Sequence, residues 1–516
     1  MARRPFRGLR DRPPRPRYDA VVVGAGIGGL FCANLLRRSG LAVLLVEQHY
    51  MVGGYCSTFR RGGFTFDAAS HFYPLLGNPE TLTGRLLVDL GIEAGWVKMD
   101  PVDVFHFPDG SRFEVPADLD SYLAAVKARF PHEAVALDAF FAAVREAYLH
   151  GLLAHFRGRE TPRHARLESL SVRAALDEHF GDPQLKLLLT ADCPHWGSPP
   201  ANTSFVFDSM LRLAYFLGNY YPAGGSQAFA DALAHRFEDE GGDILMSTRV
   251  ERIVVEDGAA VGIEAETDRG RLKGRHRVAA GAVVSNADLR LTLDELLPGG
   301  AVPPADRARA AALRPSWPCY LCHVGLSGVA ADELAEVSGY HWQRWDSDEL
   351  GDAADFRNGA LRCKVFVPTL YEPAMAPPGK QVVILQKVMP VDYERIADWA
   401  AHKAEVQEFL LAQLESLLPG VSRHVEVAST ASAHTAWRFT LNERGAMLGW
   451  EMAPDQLGAA RPGVGSPVRN LFFTGHWVRP GGGITPVIVS ALRAAEALVG
   501  GRVAEPDTPL PRPPLP

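Results

Sequence analysis

One segment constrains this chain more than any other. Val21-Val22-Val23-Gly24-Ala25-Gly26-Ile27-Gly28-Gly29-Leu30 is a β-branched run that breaks into glycines and resumes as an apolar helix. Gly24, Gly26 and Gly29 satisfy the G-x-G-x-x-G spacing. The first two allow a tight turn and close approach of backbone to a pyrophosphate, and the third lets the helix pack close to the strand. The helix runs to about residue 38 with Gly40 as its stop, and a second strand over 41–46 ends on Glu47, 23 residues after Gly24. A carboxylate there accepts the hydroxyls of an adenosine ribose. Strand, turn, helix, strand and acid together predict a dinucleotide site using Gly24, Ala25, Gly26, Gly28, Gly29 and Glu47, with the phosphates at the helix N-terminus. A protein-kinase Gly-rich loop is excluded, because no H-R-D or D-F-G set follows.

The same plan recurs near the other end. Leu471-Phe472-Phe473-Thr474-Gly475 reads as a strand, followed by Gly481-Gly482-Gly483-Ile484-Thr485-Pro486. Thr485 is expected as N-cap and Pro486 as the first helical residue. Two such devices predict a cofactor with two electron-rich ends, the second held by Gly475, Gly482, Gly483, Ile484 and Thr485. N–H groups of that helix would stabilise negative charge on the cofactor by about 1–2 kcal/mol.

Further segments identify the cofactor by resemblance. Gly53-Gly54-Tyr55-Cys56-Ser57-Thr58-Phe59 and Gly63-Phe64-Thr65-Phe66-Asp67 resemble the second signature of the flavoprotein amine oxidase and phytoene desaturase superfamily. Tyr221-Pro222-Ala223-Gly224-Gly225-Ser226 resembles its Y-P-x-G-G turn, and 278–287 its strand returning to the adenine side. The resemblance spans about Tyr18 to Gly500. Order and spacing fit phytoene desaturases, carotenoid isomerases and retinol saturases better than amine oxidases. It implies FAD as cofactor, with Gly53, Gly54, Tyr55, Ser57, Thr58 and Val250 among its contacts. Tyr55 replaces the family's arginine, which weakens charge pairing with phosphate. The implied fold is α/β: a Rossmann-like FAD-binding domain of glutathione-reductase type with an inserted mixed α+β substrate domain.

The domain plan follows. A disordered basic arm covers 1–17, where seven arginines stand against one aspartate. The FAD-binding domain takes 18–117, 223–288 and 426–500. A helical insertion occupies 118–222, with helices expected over 119–130, 133–157, 171–180 and 204–217. The substrate domain takes 289–425, and a Pro-rich tail 501–516. Asp257-Gly258 signals a hairpin between 250–255 and 261–264. The segment 204–217 is apolar on almost every side and reads as a buried helix or tunnel wall rather than a membrane contact.

Composition sets the partners. The chain has 516 residues, 47% hydrophobic, which suffices for a core and a greasy pocket. A net charge of −7 argues against nucleic acid. The arginine arm suits anionic lipid headgroups or is a solvated tail. No export segment and no run long enough to span a membrane is read, and the scattered cysteines point to a reducing compartment, so a cytoplasmic protein is expected, peripheral on a membrane if the arm binds lipid. Cys319-Tyr320-Leu321-Cys322-His323 matches a haem-attachment motif. In a strand, residues three apart face opposite ways, so these are read as packed core cysteines.

The flavin ring carries the chemistry, and desaturation, saturation and cis-trans isomerisation of a long apolar polyene or isoprenoid all suit an apolar slot. His71 and His476 are the candidates for proton transfer. Tyr73, His195, Trp196, Phe216 and Trp477 are expected to line the substrate pocket. No metal site is read, and a quinone or oxygen is a conceivable electron acceptor. Two other readings stay open: a flavin-dependent amine oxidase, and a prenyl or lipid carrier of the same fold without chemistry.

Overall fold

The computed structural model describes residues 8–9, 12–157 and 162–500. Two sheets of seven strands organise it. In the first, Arg17–Val23 lies parallel between Val43–Val46 and Gly274–Ser285, with Val21 beside Leu44 and Val283. Asp243–Leu245 and Leu471–Phe473 add parallel strands outside these. Such strands are apolar on both faces because helices or other layers cover both. Ile27–Arg38, Ser226–Asp239 and Ile484–Val499 cover one face and bury Val22, Leu45 and Val284. The antiparallel ribbon Thr248–Glu256 with Ala259–Thr267 turns through Asp257 and Gly258, both at positive φ as a two-residue hairpin requires.

The second sheet runs in the order Val425–Ala431, Cys319–Ser327, Lys380–Val388, Leu361–Phe366, Gly339–Trp342, Asp103–His106, Arg112–Val115. Strand alternation sorts Cys319–Ser327 into two faces. Tyr320, Cys322, Val324 and Leu326 pack under the helix Trp399–Leu417 with Leu410 and Leu414. Leu321 faces the other way, toward Phe64, Phe66 and Tyr221. Cys319 and Cys322 therefore diverge, and all six cysteines are free thiols.

Sheet membership corrects the boundaries read from sequence. Asp103–His106 and Arg112–Val115, assigned to the FAD-binding part, belong to the second sheet, where Phe105 pairs in parallel with Tyr340. Val425–Ala431 also belongs there, paired with Cys319–Ser327. The arm is corrected too. Within its described part, Arg12 and Arg15 contact Asp243 at 2.6 and 3.3 Å, and the Leu9 N–H donates to the Ile244 carbonyl at 2.7 Å. A carboxylate at the start of a neighbouring strand pins what the charge pattern reads as a free tail.

The insertion forms helices Leu119–Arg129, Ala134–Arg157, Val172–His179 and Phe205–Phe216, with Asp118, Ser171 and Ser204 as side-chain N-caps for the first, third and fourth. Two further helices, Pro162–Ser169 and Pro183–Thr190, were not read from the sequence. Asp67 ties the signature segments together. Fully buried, it accepts the Tyr221 hydroxyl and, at 2.8 Å, the Ser226 N–H, which fixes the Tyr221–Ser226 turn against the second signature.

Candidate functional site

The Gly-rich turn, the second signature and the C-terminal loop meet around one groove of about 230 Å³. Gly24, Gly26, Gly28, Gly53, Gly54, Tyr55, Val250, Gly475, His476, Gly483 and Ile484 line it. Its crowding explains the glycines. A Cβ on Gly28 would stand 2.5 Å from Asn286 Oδ1 and 3.2 Å from the Gly475 Cα. Gly54 abuts Gly26, and the Gly53 N–H donates to the Ala25 carbonyl at 2.8 Å. Ala25 and Gly29 stand behind this surface. A Cβ on Gly29 would lie 2.0 Å from the Gly24 carbonyl oxygen, so the third glycine sets helix–strand distance.

Both helices that point here begin bare. Ile27–Arg38 is N-capped by Gly26 and Ile484–Val499 by Gly483, neither with a side-chain cap or an acid in the first turn. Such ends leave N–H groups for an anion. Glu47 is buried and accepts the Ala25 and His49 N–H groups, both at 2.7 Å. Burial raises its pKa against those bonds. A carboxylate has about four lone-pair positions, so these bonds leave room to accept from a ribose hydroxyl. Tyr55, where the family carries arginine, donates its hydroxyl to the Ala446 carbonyl at 2.9 Å and adds no charge. The residues present thus fit FAD: a cradle that leaves no room for a Cβ at Gly28, Gly53 or Gly475, two open helix ends and one free face of a carboxylate.

A second cavity of about 1990 Å³ opens from the same loops. Gly54, Tyr55, Ser57 and Thr58 bound it on one side, Gly482, Gly483, Ile484 and Thr485 on another. The second sheet supplies Cys319, Leu321, His323 and Gln386, and the helix Phe205–Phe216 supplies Phe207, Met210, Leu211 and Ala214. These last four recur at helical spacing, which makes this helix a tunnel wall with its opposite side in the core. On that opposite side Asp208 and Arg212 form a buried pair at 3.0 Å.

The structure separates the residues expected around the pocket. His71 and His195 line the large cavity. His71 is 5% exposed, and burial with the nearby Lys364 charge holds its pKa well below the usual histidine value. The other expectations are corrected. Tyr73 packs against Trp96 and Phe229 in the core of the FAD-binding domain. Trp196 lies in the core of the helical insertion, and Phe216 turns toward Tyr122 at a ring distance of 5.0 Å. Trp477 is buried against Trp450, because aromatic bulk at these positions fills cores. His476 faces the small groove, not the cavity. Its Nε2 lies 3.2 Å from Asn442 Oδ1, and burial, then Arg461, lowers its pKa to about 3. Thr485 is not a cap: Gly483 at φ +101° starts the helix, and the Thr485 hydroxyl donates to the Pro74 carbonyl at 2.9 Å.

The sequence matches the family described as flavin containing amine oxidoreductase over residues 27–499. The chain belongs to this family. Its cofactor is FAD, and it is an FAD-dependent oxidoreductase. It is 26% identical over 534 residues to the macaque (Macaca fascicularis) all-trans-retinol 13,14-reductase, covering 93% of this chain and 84% of that one. Against the Myxococcus xanthus all-trans-zeta-carotene desaturase the identity is 29% over 511 residues, covering 93% and 92%. Against the Arabidopsis thaliana chloroplastic prolycopene isomerase it is 25% over 510 residues, covering 93% and 82%. Among solved structures, putrescine oxidase bound to putrescine superposes with a TM-score of 0.66 at 16% identity, covering 94% of this chain and all (100%) of that one. An oxidoreductase from Methanosarcina mazei gives 0.65 at 17%, covering 92% and 99%. These superpositions carry the fold: a Rossmann-like FAD-binding domain with a mixed substrate domain.

Several residues that shape the site were missed. Asn286 sits among Gly24, Gly26, Gly28 and Gly475 and donates to the Gly24 carbonyl at 3.3 Å. It follows the C-terminal end of a parallel strand, where ligands bind in open α/β sheets, and that was the available signal. Gln386 and the buried pair Lys364–Asp103, at 2.6 Å, carry no local motif.

Proposed function

We propose that this FAD-dependent oxidoreductase acts on a long apolar polyene or isoprenoid, by desaturation, saturation or cis-trans isomerisation. The observation that carries the reading is the large cavity: it runs from the loops that would hold the flavin, along Phe207, Met210, Leu211 and Ala214, into the second domain. Similarity to retinol and carotenoid enzymes over nearly the whole chain supports the same substrate class.

Bound in the groove, FAD supplies hydride chemistry at its ring. The protein's own part is to hold and shield. Gly24–Gly29, Glu47 and Gly53–Thr58 would bind the nucleotide and phosphates, while the N–H groups at Ile484 and Thr485 would stabilise negative charge at the ring's far end. Apolar walls exclude water and align the chain. His71, kept neutral by burial, holds at most one transferable proton at neutral pH and is the group placed to carry a proton at the cavity wall. His476 faces the small groove and is not in position for that role.

Among the described residues no helix is long and apolar enough to cross a membrane. Apolar side chains nevertheless sit exposed where they line the cavity: Tyr50 at 57%, Phe439 at 51%, and Leu149 and Leu153. We place substrate entry there, from a membrane surface.

The test is anaerobic. A portion of the protein purified from a flavin-replete host is denatured mildly to identify the cofactor, and the remaining holoenzyme, with its flavin oxidised and, separately, reduced with dithionite, is mixed with retinol, ζ-carotene, prolycopene and putrescine. Change in a polyene, with or without change in the flavin spectrum, is expected. Flavin reduction by the amine with every polyene unaltered would overturn the reading.

A further inference from the structure

We infer that Arg461 is a counter-charge for the reduced cofactor: it acts through its field on the wall where the flavin ring meets the substrate cavity, and it favours reduced over oxidised FAD. This rests on FAD lying in the small groove and is independent of which substrate the cavity takes.

The two cavities locate the ring. Tyr55, Met447, Leu448, Gly483 and Ile484 line both the groove and the large cavity. A cofactor held in the groove meets a substrate in the cavity only past these residues. Two chain segments, 447–452 and 476–483, build most of that wall and touch with no side chain between them. A Cβ on Gly482 would stand 2.4 Å from the Leu448 carbonyl oxygen, and one on Gly449 2.5 Å from the His476 carbonyl oxygen.

Arg461 fills the layer behind this contact. Its Nη2 donates to the Trp450 and His476 carbonyls, both at 3.1 Å, and its Nη1 lies 3.3 Å from Met452 Sδ. A Cβ on Gly481 would stand 3.3 Å from its Cζ. The guanidinium is therefore one loop's thickness behind Gly482 and Gly483. Being fully buried, it is not a group that the cofactor touches.

Nothing in the fold accounts for its charge. Among the described residues no carboxylate is paired with Arg461, whereas Arg212, also buried, has Asp208 at 3.0 Å. Two carbonyls and a thioether are neutral acceptors, which an amide would satisfy as well. A buried cation without an acid is costly. Burial lowers its pKa to about 9, which still leaves it charged at neutral pH. Neighbouring groups do not replace it: burial, then the Arg461 charge, keeps His476 neutral, and Arg479 is exposed, where water and salt screen it. Negative charge arising nearby offsets the cost. Reduction leaves such charge on the flavin ring, while the pyrophosphate is negative in both oxidation states. Across one loop, about 10 Å, a unit charge at an effective dielectric of about 20 changes an equilibrium about tenfold.

The experiment reads the midpoint potential of the FAD-loaded protein against reference dyes without oxygen, and the dissociation constant of oxidised FAD by flavin fluorescence. Bound to the wild type, FAD is expected to have a higher potential than free FAD. Arg461→Gln keeps hydrogen-bond donors and removes the charge. It should lower the reduced-over-oxidised affinity ratio about tenfold, which is about 30 mV for a two-electron couple. Arg461→Lys keeps the charge and should lose less than half of that shift. An unchanged potential in Arg461→Gln, with FAD per chain intact, makes Arg461 a structural staple and overturns the proposal. Equal weakening of both oxidation states assigns the charge to the pyrophosphate and overturns it too. A lysine variant that falls as far as the glutamine one overturns it in favour of hydrogen bonding. If Arg461→Gln loads no flavin, the wild type decides: a potential above that of free FAD supports the proposal, and one at or below it overturns it. Wild-type protein that takes up no FAD would sink the cofactor assignment as well.

Discussion

Gly29→Ala tests how tightly the cofactor cradle is set by one glycine. The added Cβ would lie 2.0 Å from the Gly24 carbonyl oxygen, and real Cβ atoms essentially never approach within 3.0 Å. The obstructing atom is backbone, in the turn that faces the groove, so no rotamer change relieves it. The start of Ile27–Arg38 must move away from the strand by about 1 Å, at the upper end of the 1–3 kcal/mol typical of overpacking. That movement shifts the unpartnered N–H groups of the first helical turn, whose bonds to a charged ligand are worth about 1.5–3 kcal/mol each. Loss of one such bond raises the FAD dissociation constant about tenfold to a hundredfold. Gly299→Ala is the control, because its Cβ meets nothing within 4 Å and its φ is ordinary. Flavin-fluorescence quenching on titrating apoprotein reads the constant directly, and thermal unfolding against FAD concentration reads it by linkage. An unchanged FAD constant in Gly29→Ala, beside an unchanged control, would refute the reasoning that helix–strand distance governs the cofactor site.

Other perturbations follow from the same geometry. Glu47→Ala orphans the Ala25 and His49 N–H groups and removes the ribose acceptor; FAD per chain after gel filtration should fall at least tenfold. Lys364→Met leaves Asp103 buried without its cation and should cost about 3–5 kcal/mol in denaturant unfolding, much of it recovered in Lys364→Met/Asp103→Leu. His341 has its pKa lowered from 6.5 to about 3 by burial, so the unfolded chain takes up that proton first as pH falls. Its contribution to stability is complete above about pH 6.5 and is lost progressively on acidification toward pH 3. Asp192 and Asp288, raised by burial to about 6, act in the opposite sense below that pH, so the readout is a difference. Between pH 6 and 4 the stability of His341→Phe should fall less steeply than that of the parent, by about 1.4 kcal/mol per pH unit.

Local patterns were the legible part. The Gly24–Gly29 turn and Glu47 are specified within 24 residues, and their physics is local: a turn, a helix end and a strand end. The hairpin at Asp257-Gly258 is likewise decided by a few adjacent residues. What failed was membership. Asp103–His106 reads as a strand in isolation, but its neighbour Gly339–Trp342 lies more than two hundred residues away. Parallel pairing leaves no hairpin turn to announce it. The aromatic pocket residues failed for a related reason. Bulk does not say which side a residue faces, so Trp196, Trp477, Phe216 and Tyr73 went to cores. The better signal lay in spacing: Phe207, Met210, Leu211 and Ala214 form one stripe, with Asp208 and Arg212 one turn apart on another.

The division of labour between the two sheets explains why the cofactor site was easier to read than the substrate site. A nucleotide is met by backbone N–H groups, and only glycine permits the approach, so its site leaves a trace in composition. An apolar chain is met by side chains from different strands and a helix, and any of several apolar residues will serve at each position. Specificity on such a wall can then come only from the few polar groups it contains. Those polar groups are placed by register. Gln386, Lys364 and Tyr340 become neighbours because three strands pair without a slip at that row. A one-residue shift in Lys380–Val388 would turn Gln386 into the core beneath the helix Trp399–Leu417 and present Leu385 or Lys387 to the cavity, according to its direction. The chemistry of this end of the site is therefore a property of strand pairing, and no motif in the sequence encodes it.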